Sequence, residues 1–121
     1  QLGASLFEMP AGGATFPLHA HHHNEEAIVV VSGRPTLRTL SGSRELAPGE
    51  VVACPAGRAG AHRLDNATDE PVRVLIVSTM FSPEVNEFPD DGTYWLRSYV
   101  PGHDPRDDEV DVMLRPVEPP S

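Results

Sequence analysis

Apolar residues recur in short runs that alternate with polar ones, the period-2 pattern of half-buried strands. The runs are rich in Val, Ile, Leu and Thr. They predict strands at Leu2–Glu8, Ala14–His21, Glu25–Val31, Thr36–Leu40, Ser43–Leu46, Val51–Cys54, Ala61–Leu64, Val72–Met80 and Tyr94–Val100. Between them stand Pro10-Ala11-Gly12-Gly13, Gly33-Arg34-Pro35, Ser41-Gly42, Pro48-Gly49, Pro55-Ala56-Gly57 and the stretch from Asp65-Asn66 to Pro71. Glycine there supplies a positive φ and proline fixes φ, so each break reads as a turn. No long stretch free of Gly and Pro carries a helical period. Short strands at regular spacing predict an all-β sandwich or barrel.

Beyond Met80 the pattern weakens. Phe81–Gly92 and Pro101–Asp108 are rich in proline and acids, and Pro116–Ser121 holds three prolines in six residues. The expectation is a barrel over residues 2–80 and an irregular Pro/Asp-rich C-terminal tail over 81–121. That tail packs around the barrel or is partly disordered, with Tyr94 and Trp95 docking one stretch of it. At 121 residues the chain has the length of one domain, residues 1–121.

Charge removes several classes of partner. Lys and Arg number 9 against 18 Asp and Glu, a formal net charge of −9. Nucleic acids and anionic membranes call for a basic surface, so neither is expected. No apolar run approaches the roughly 20 residues of a membrane span. The first residues, Gln1-Leu2-Gly3-Ala4, lack the basic and apolar regions of a signal peptide, although Gln1 is not an initiator Met. Cys54 is the single cysteine, so no intrachain disulfide forms. The expected compartment is the cytoplasm.

Histidine is where chemistry concentrates. Four of the 6 histidines, His19, His21, His22 and His23, fall within five positions. Alternation places His19 and His21 on one face of a strand. A loop of His22, His23, Asn24 and Glu25 then leads to a strand beginning at Glu26. In such a hairpin His21 and Glu26 are cross-strand neighbours, about 4.5–5.5 Å apart at Cβ. Glu26, Ile28 and Val30 share their inner face. Two imidazoles and a carboxylate form a ligand set for Fe, Mn, Ni, Cu or Zn. His62, at the start of a predicted strand, is the best further ligand, whereas His103 lies in the tail and is expected in solvent. Spacing alone leaves open a loop of solvated histidines.

These residues resemble the cupin superfamily. Its first motif is matched by Gly13, five residues, His19, one residue, His21, four residues, Glu26, six residues and Gly33. Its second is matched by Gly49, five residues, Pro55, then His62, three residues and Asn66. Six residues separate Pro55 from His62, where the family pattern has four. The resemblance covers roughly Leu2 to Met80 and is to the small single-domain bacterial members. It implies a double-stranded β-helix, or jelly roll, around one divalent transition metal per chain (Fe, Mn, Ni or Zn). It also implies His19, His21, Glu26 and His62 as the metal ligands.

Other positions are read more plainly. Glu25 points outward, and His22 and His23 sit in solvent at the barrel mouth. Asn66 makes local turn hydrogen bonds, and Cys54 is a small buried hydrophobe. Arg38, Arg63 and Arg73 belong to a solvated outer face, although one turned inward would hold a substrate carboxylate bidentately. Phe7, Phe16, Leu37, Val52, Leu64 and Leu75 form core or pocket wall. Nucleotide-binding loops and a serine nucleophile elbow are absent. The function expected is a metal-dependent enzyme acting on a small polar molecule. By analogy with the family, dioxygenation ranks ahead of isomerisation and decarboxylation. The alternatives are a non-enzymatic metal-holding or small-molecule-binding sensor and a metal-free structural jelly roll. A homodimer is expected, with Leu2–Glu8 and Tyr94–Val100 at its interface.

Overall fold

The structure is a computed structural model and describes residues 1–100 and 104–115. Its strands are β1 (Leu2–Met9), β2 (Ala20–His21), β3 (Glu26–Ser32), β4 (Thr36–Thr39), β5 (Gly42–Glu45) and β6 (Val51–Cys54). They continue with β7 (Arg63–Asp65), β8 (Val72–Thr79), β9 (Glu84–Phe88), β10 (Thr93–Arg97) and β11 (Asp111–Leu114). One short 3-10 turn, Arg58–Gly60, lies between β6 and β7.

The strands form two facing layers. One is a four-stranded sheet in the order β1-β8-β3-β6. The other combines the sheets β11-β10-β9-β2 and β5-β4-β7. These two are stitched together by the bridges Ala14↔Asp65 and His19↔His62, which run the segment before β2 alongside β7. All pairings are antiparallel. This is the jelly roll that the strand spacing and the resemblance implied.

Alternation explains what lies between the layers. On β3, Ile28 and Val30 are buried while Val31 is exposed. They join Met9, Leu37, Leu46, Cys54, Leu64, Val72 and Val74 in one apolar core. Glu26 keeps the same phase and so faces inward next to that core. Cys54 is a buried free thiol, as its run of small apolar residues implied.

The strands differ from the sequence expectation in extent, number and edges. Ala14–His21 is not one strand: only Ala20–His21 pairs regularly, flanked by the two isolated bridges. Pro17 lacks an N–H and cannot continue a ladder. The expected tail contains β9 and β11. β9 carries no apolar strand signal, because its buried residues are all polar: Glu84 and Asn86 on the cavity face and Glu87 on the other. Finally, β10 lies between β9 and β11 and is no sheet edge, whereas β1 is an edge strand with Leu2 and Leu6 exposed. His103 lies outside the described residues. No described helix is long and apolar enough to cross a membrane.

Candidate metal centre

The four predicted ligands converge. One ligand atom each from His19, His21, Glu26 and His62 lies within 4.8 Å of all the others. Glu26 comes from β3 in one layer, while His19, His21 and His62 come from the facing layer. The expected hairpin between His21 and Glu26 does not form. β2 pairs with β9, setting His21 opposite Asn86, and β3 pairs with β6 and β8, setting Glu26 opposite Cys54 and Ser78. The loop 22–25 crosses from one layer to the other, and the side chains meet across the barrel interior. Glu26 Oε1 lies 2.9 Å from His21 Nε2 and 3.0 Å from His62 Nε2.

Backbone carbonyls set the tautomers. His19 Nδ1 donates to Pro17 O at 2.9 Å and His62 Nδ1 donates to Gly60 O at 2.8 Å. A carbonyl only accepts, so Nδ1 carries the proton and each neutral ring turns its Nε2 lone pair inward. His21 is held by side chains instead. Asn86 Nδ2 donates to its Nδ1 at 2.9 Å, and Arg97 Nη2 fixes that amide by donating to Asn86 Oδ1 at 2.7 Å. Glu84 Oε2, 3.6 Å from the same Nδ1, is the acceptor within reach when Nδ1 carries the proton instead. Partners of this kind orient metal-binding imidazoles.

The electrostatics suit a cation. Burial, reinforced by the neighbouring His62, pulls the His19 pKa down to about 4, so this ring is neutral at pH 7. Burial also works downward on His21, but the Glu26 and Glu84 carboxylates outweigh it and hold the pKa at about 8. For His62, burial is outweighed by the Cys54 side chain and Glu26, and the net direction is up. Burial works to raise Glu26, yet His21 and His62 hold it well below the usual carboxylate range. Glu26 is thus an anion that draws positive charge onto its neighbours. His21 Nε2 is buried and makes no well-directed hydrogen bond despite its closeness to the carboxylate. Three imidazoles that present Nε2 once its proton is released, grouped around an anion, form a mixed nitrogen and oxygen set that fits a divalent cation.

The longer spacing before His62 has a structural role. The residues between Pro55 and His62 include the 3-10 turn that delivers the Gly60 carbonyl to His62 Nδ1. A Cβ on Gly60 would sit 1.9 Å from the Pro55 oxygen, closer than any real contact. Gly60→Ala must therefore displace this turn and the carbonyl that orients His62. The expected result is a loss of about 3 kcal/mol or more on thermal unfolding, with metal affinity weakened about 10–100-fold. Unchanged metal titration in the folded variant would refute the orienting role.

The remaining assignments divide. Glu25 is exposed, as expected. Asn66 is buried and holds a turn: Nδ2 donates to Met9 O, Pro10 O and Glu70 O, and Oδ1 accepts from Thr68. His22 and His23 are exposed but tied down, contrary to a freely solvated loop. His22 Nε2 lies 2.9 Å from Glu87 Oε1, and His23 Nδ1 donates to Pro83 O at 2.6 Å. Their backbone N–H groups are both held by Glu84 Oε1. Arg38, Arg63 and Arg73 are outward, paired with Asp90, Asp65 and Glu8. Trp95, expected at the barrel mouth, at a dimer interface or as an anchor of the tail, lines the cavity. Glu84, Asn86 and Arg97 carry no such signal in the sequence: alternation puts Trp95 and Arg97 on one face of β10 without saying which face is inner, and β9 lacks a strand pattern.

The cluster of His19, His21, Glu26 and His62 lies in the wall of a cavity of about 1090 Å³. Phe7, Phe16, Ile28, Leu64 and Ile76 give this cavity a largely apolar lining, and Glu84, Asn86 and Arg97 supply polar groups. Such a space takes a small molecule with a few directed polar contacts.

Comparison with known proteins agrees with this architecture. A family model described as Cupin domain matches residues 5–78. No curated protein matches the chain. A sugar phosphate isomerase of the cupin superfamily from Silicibacter pomeroyi is 25% identical, with a TM-score of 0.82 over 95% of this chain and 68% of that one. A protein provisionally named a sugar phosphate isomerase, from Acidithiobacillus ferrooxidans, is 26% identical, with a TM-score of 0.78 over 92% of this chain and 66% of that one. The chain therefore spans about two thirds of the length of these two structures. The polyketide cyclase RemF from Streptomyces resistomycificus is 28% identical, with a TM-score of 0.56 over 64% of this chain and 53% of that one.

Proposed function

The chain belongs to the cupin domain family, and on that premise we propose that it binds one divalent transition metal through His19, His21, Glu26 and His62 and isomerises a small polar substrate. The observation that carries this reading is the convergence of three imidazoles and one carboxylate on the wall of a cavity large enough for a small molecule. Dioxygenation, ranked first from the sequence, finds no support in the comparisons. The likeness over nearly the whole chain to one sugar phosphate isomerase, and to a second protein provisionally so named, favours isomerisation.

When bound, the metal supplies a Lewis acid that polarises an oxygen of the substrate. The chain's own residues do the rest. Pro17 O and Gly60 O hold two imidazoles in the binding tautomer, and Asn86 aligns the third. The apolar wall of Phe7, Ile28, Leu64 and Ile76 limits water around the reacting atoms and strengthens every charge interaction there.

The test loads the purified chain separately with Fe(II), Mn, Ni and Zn and follows a panel of aldose and ketose phosphates by NMR, with dioxygen uptake recorded in parallel. Metal-dependent interconversion without dioxygen uptake is expected. Dioxygen uptake coupled to substrate loss would replace isomerisation by oxygenation. Saturable ligand binding without turnover under any metal would leave the non-enzymatic binding reading.

A further inference from the structure

We propose that Arg97 is the anion-binding residue of the cavity, holding a phosphate or carboxylate group of the ligand. This deepens the reading of the cavity as a substrate site and rests on it.

Arg97 and Trp95 sit two apart on β10 and line the same cavity as the metal cluster. Arg97 is only 6% exposed. Its guanidinium carbon lies 4.3 Å from the centre of the Trp95 ring. Nη2 donates to Asn86 Oδ1, and Asn86 in turn donates to His21, so two hydrogen bonds connect the guanidinium to a metal ligand. Nε, by contrast, is buried and has no hydrogen-bond partner. No ion pair joins Arg97 to a carboxylate among the described residues.

Nearby acids are already engaged. Glu84 accepts from the backbone of His22, His23 and Val85 and from Asn24 Nδ2. Asp111 accepts from Trp95 Nε1 at 2.8 Å and from the Tyr99 hydroxyl. A guanidinium cannot shed its charge, and Glu84 and Asp111 act on it only from beyond ion-pair distance. The stacked, tethered guanidinium with an unused Nε–H suits a planar or tetrahedral oxyanion. A ligand reaching from Arg97 to the metal cluster spans the width of Asn86 and His21, which calls for a short molecule with its anionic group a few atoms from the reacting end. The sequence reading sought such an arginine among Arg38, Arg63 and Arg73. The structure turns those outward and Arg97 inward.

Trp95 is the only tryptophan of the chain, so its fluorescence reports on this site. The experiment titrates the full chain, metal-free and Zn-loaded, with inorganic phosphate, acetate and neutral glycerol. Arg97→Gln and Arg97→Lys are measured beside it, each checked for fold by circular dichroism. We expect saturable binding of at least one anion and none of glycerol. Affinity should fall by at least about tenfold in Arg97→Gln and recover in part in Arg97→Lys, because the lost contact is a charge-assisted hydrogen bond. The anion bound more tightly identifies phosphate or carboxylate as the source. No saturable anion response in the native chain, or equal affinity in Arg97→Gln, overturns the proposal. Arg97-dependent anion binding in a chain that takes up no metal would remove the metal reading and leave this one standing. Metal uptake with Arg97-independent anion binding would do the reverse.

Discussion

Replacing His21 and His62 together by Ala is expected to reduce metal content from about one equivalent to below about a tenth of that, in protein purified without a His-tag or added metal. These residues are two of the four proposed ligands, and both their Nε2 atoms approach Glu26 Oε1, at 2.9 and 3.0 Å. The double variant leaves one imidazole and one carboxylate, too few to compete with water for a transition metal. It also strips Glu26 of the neighbours that keep its pKa low, so the buried carboxyl is expected to take up a proton nearer neutral pH. Elemental analysis measures the first effect, and a pH titration of stability measures the second. His22→Ala is the control: that ring lies outside the cluster, against Glu87. Retained metal in the double variant, or equal loss in His22→Ala, would reject the four-residue site.

The second large effect is expected at Glu84. This carboxylate is 1% exposed and receives the backbone N–H groups of His22, His23 and Val85 and the side chain of Asn24. It thereby fastens the loop 22–25 to β9 and fixes the crossing that brings His21 towards Glu26. Glu84→Ala leaves several buried donors without an acceptor, at about 1–3 kcal/mol each, of which water recovers a part. A net loss of about 4 kcal/mol is expected, a fall in Tm on the order of 15 °C for a chain of this size. Glu84→Gln keeps the volume but sets an amide donor against a donor, and about half that loss is expected.

The pH dependence has a definite sign. Burial works to raise the Glu84 pKa, but the neighbouring His21 ring and hydrogen bonds from Asn24 and the His23 backbone bring it down from 4.5 to about 2. A depressed carboxylate pKa adds stability that is fully present above the unfolded value and lost as pH falls through the folded one. Roughly 3 kcal/mol should therefore drain away between about pH 4.5 and 2. Glu84→Gln should flatten that limb of the stability profile. An unchanged acid limb in Glu84→Gln would place the titrating group elsewhere.

Many barrel strands are legible because they are short apolar runs bounded by turn residues. β6 is a case in point: the run Val51–Cys54 lies between Pro48-Gly49 and Pro55, and its expected and observed bounds agree. The ligand set was legible from the resemblance to the cupin motifs; strand period put His19 and His21 on one face and Glu26 in phase with Ile28 and Val30, and by itself left a loop of solvated histidines open. β9 was not legible, since a strand that buries Glu84, Asn86 and Glu87 has the polarity of a loop. Those burials are tolerable only because His22, His23, Asn24, Arg58 and Arg97 come from elsewhere in the chain to pair with them.

The sequence by itself determined the all-β class and the turns, because strand period and turn chemistry act over a few neighbouring residues, while the four residues that converge came from the resemblance to the cupin motifs. Only the tertiary structure decided that His21 meets Glu26 across the barrel rather than along a hairpin, that β9 supports the site, and that Arg97 is the inward arginine. Each of these depends on which strand pairs with which, and hydrogen bonds between strands distant in the chain leave no local trace in side-chain polarity.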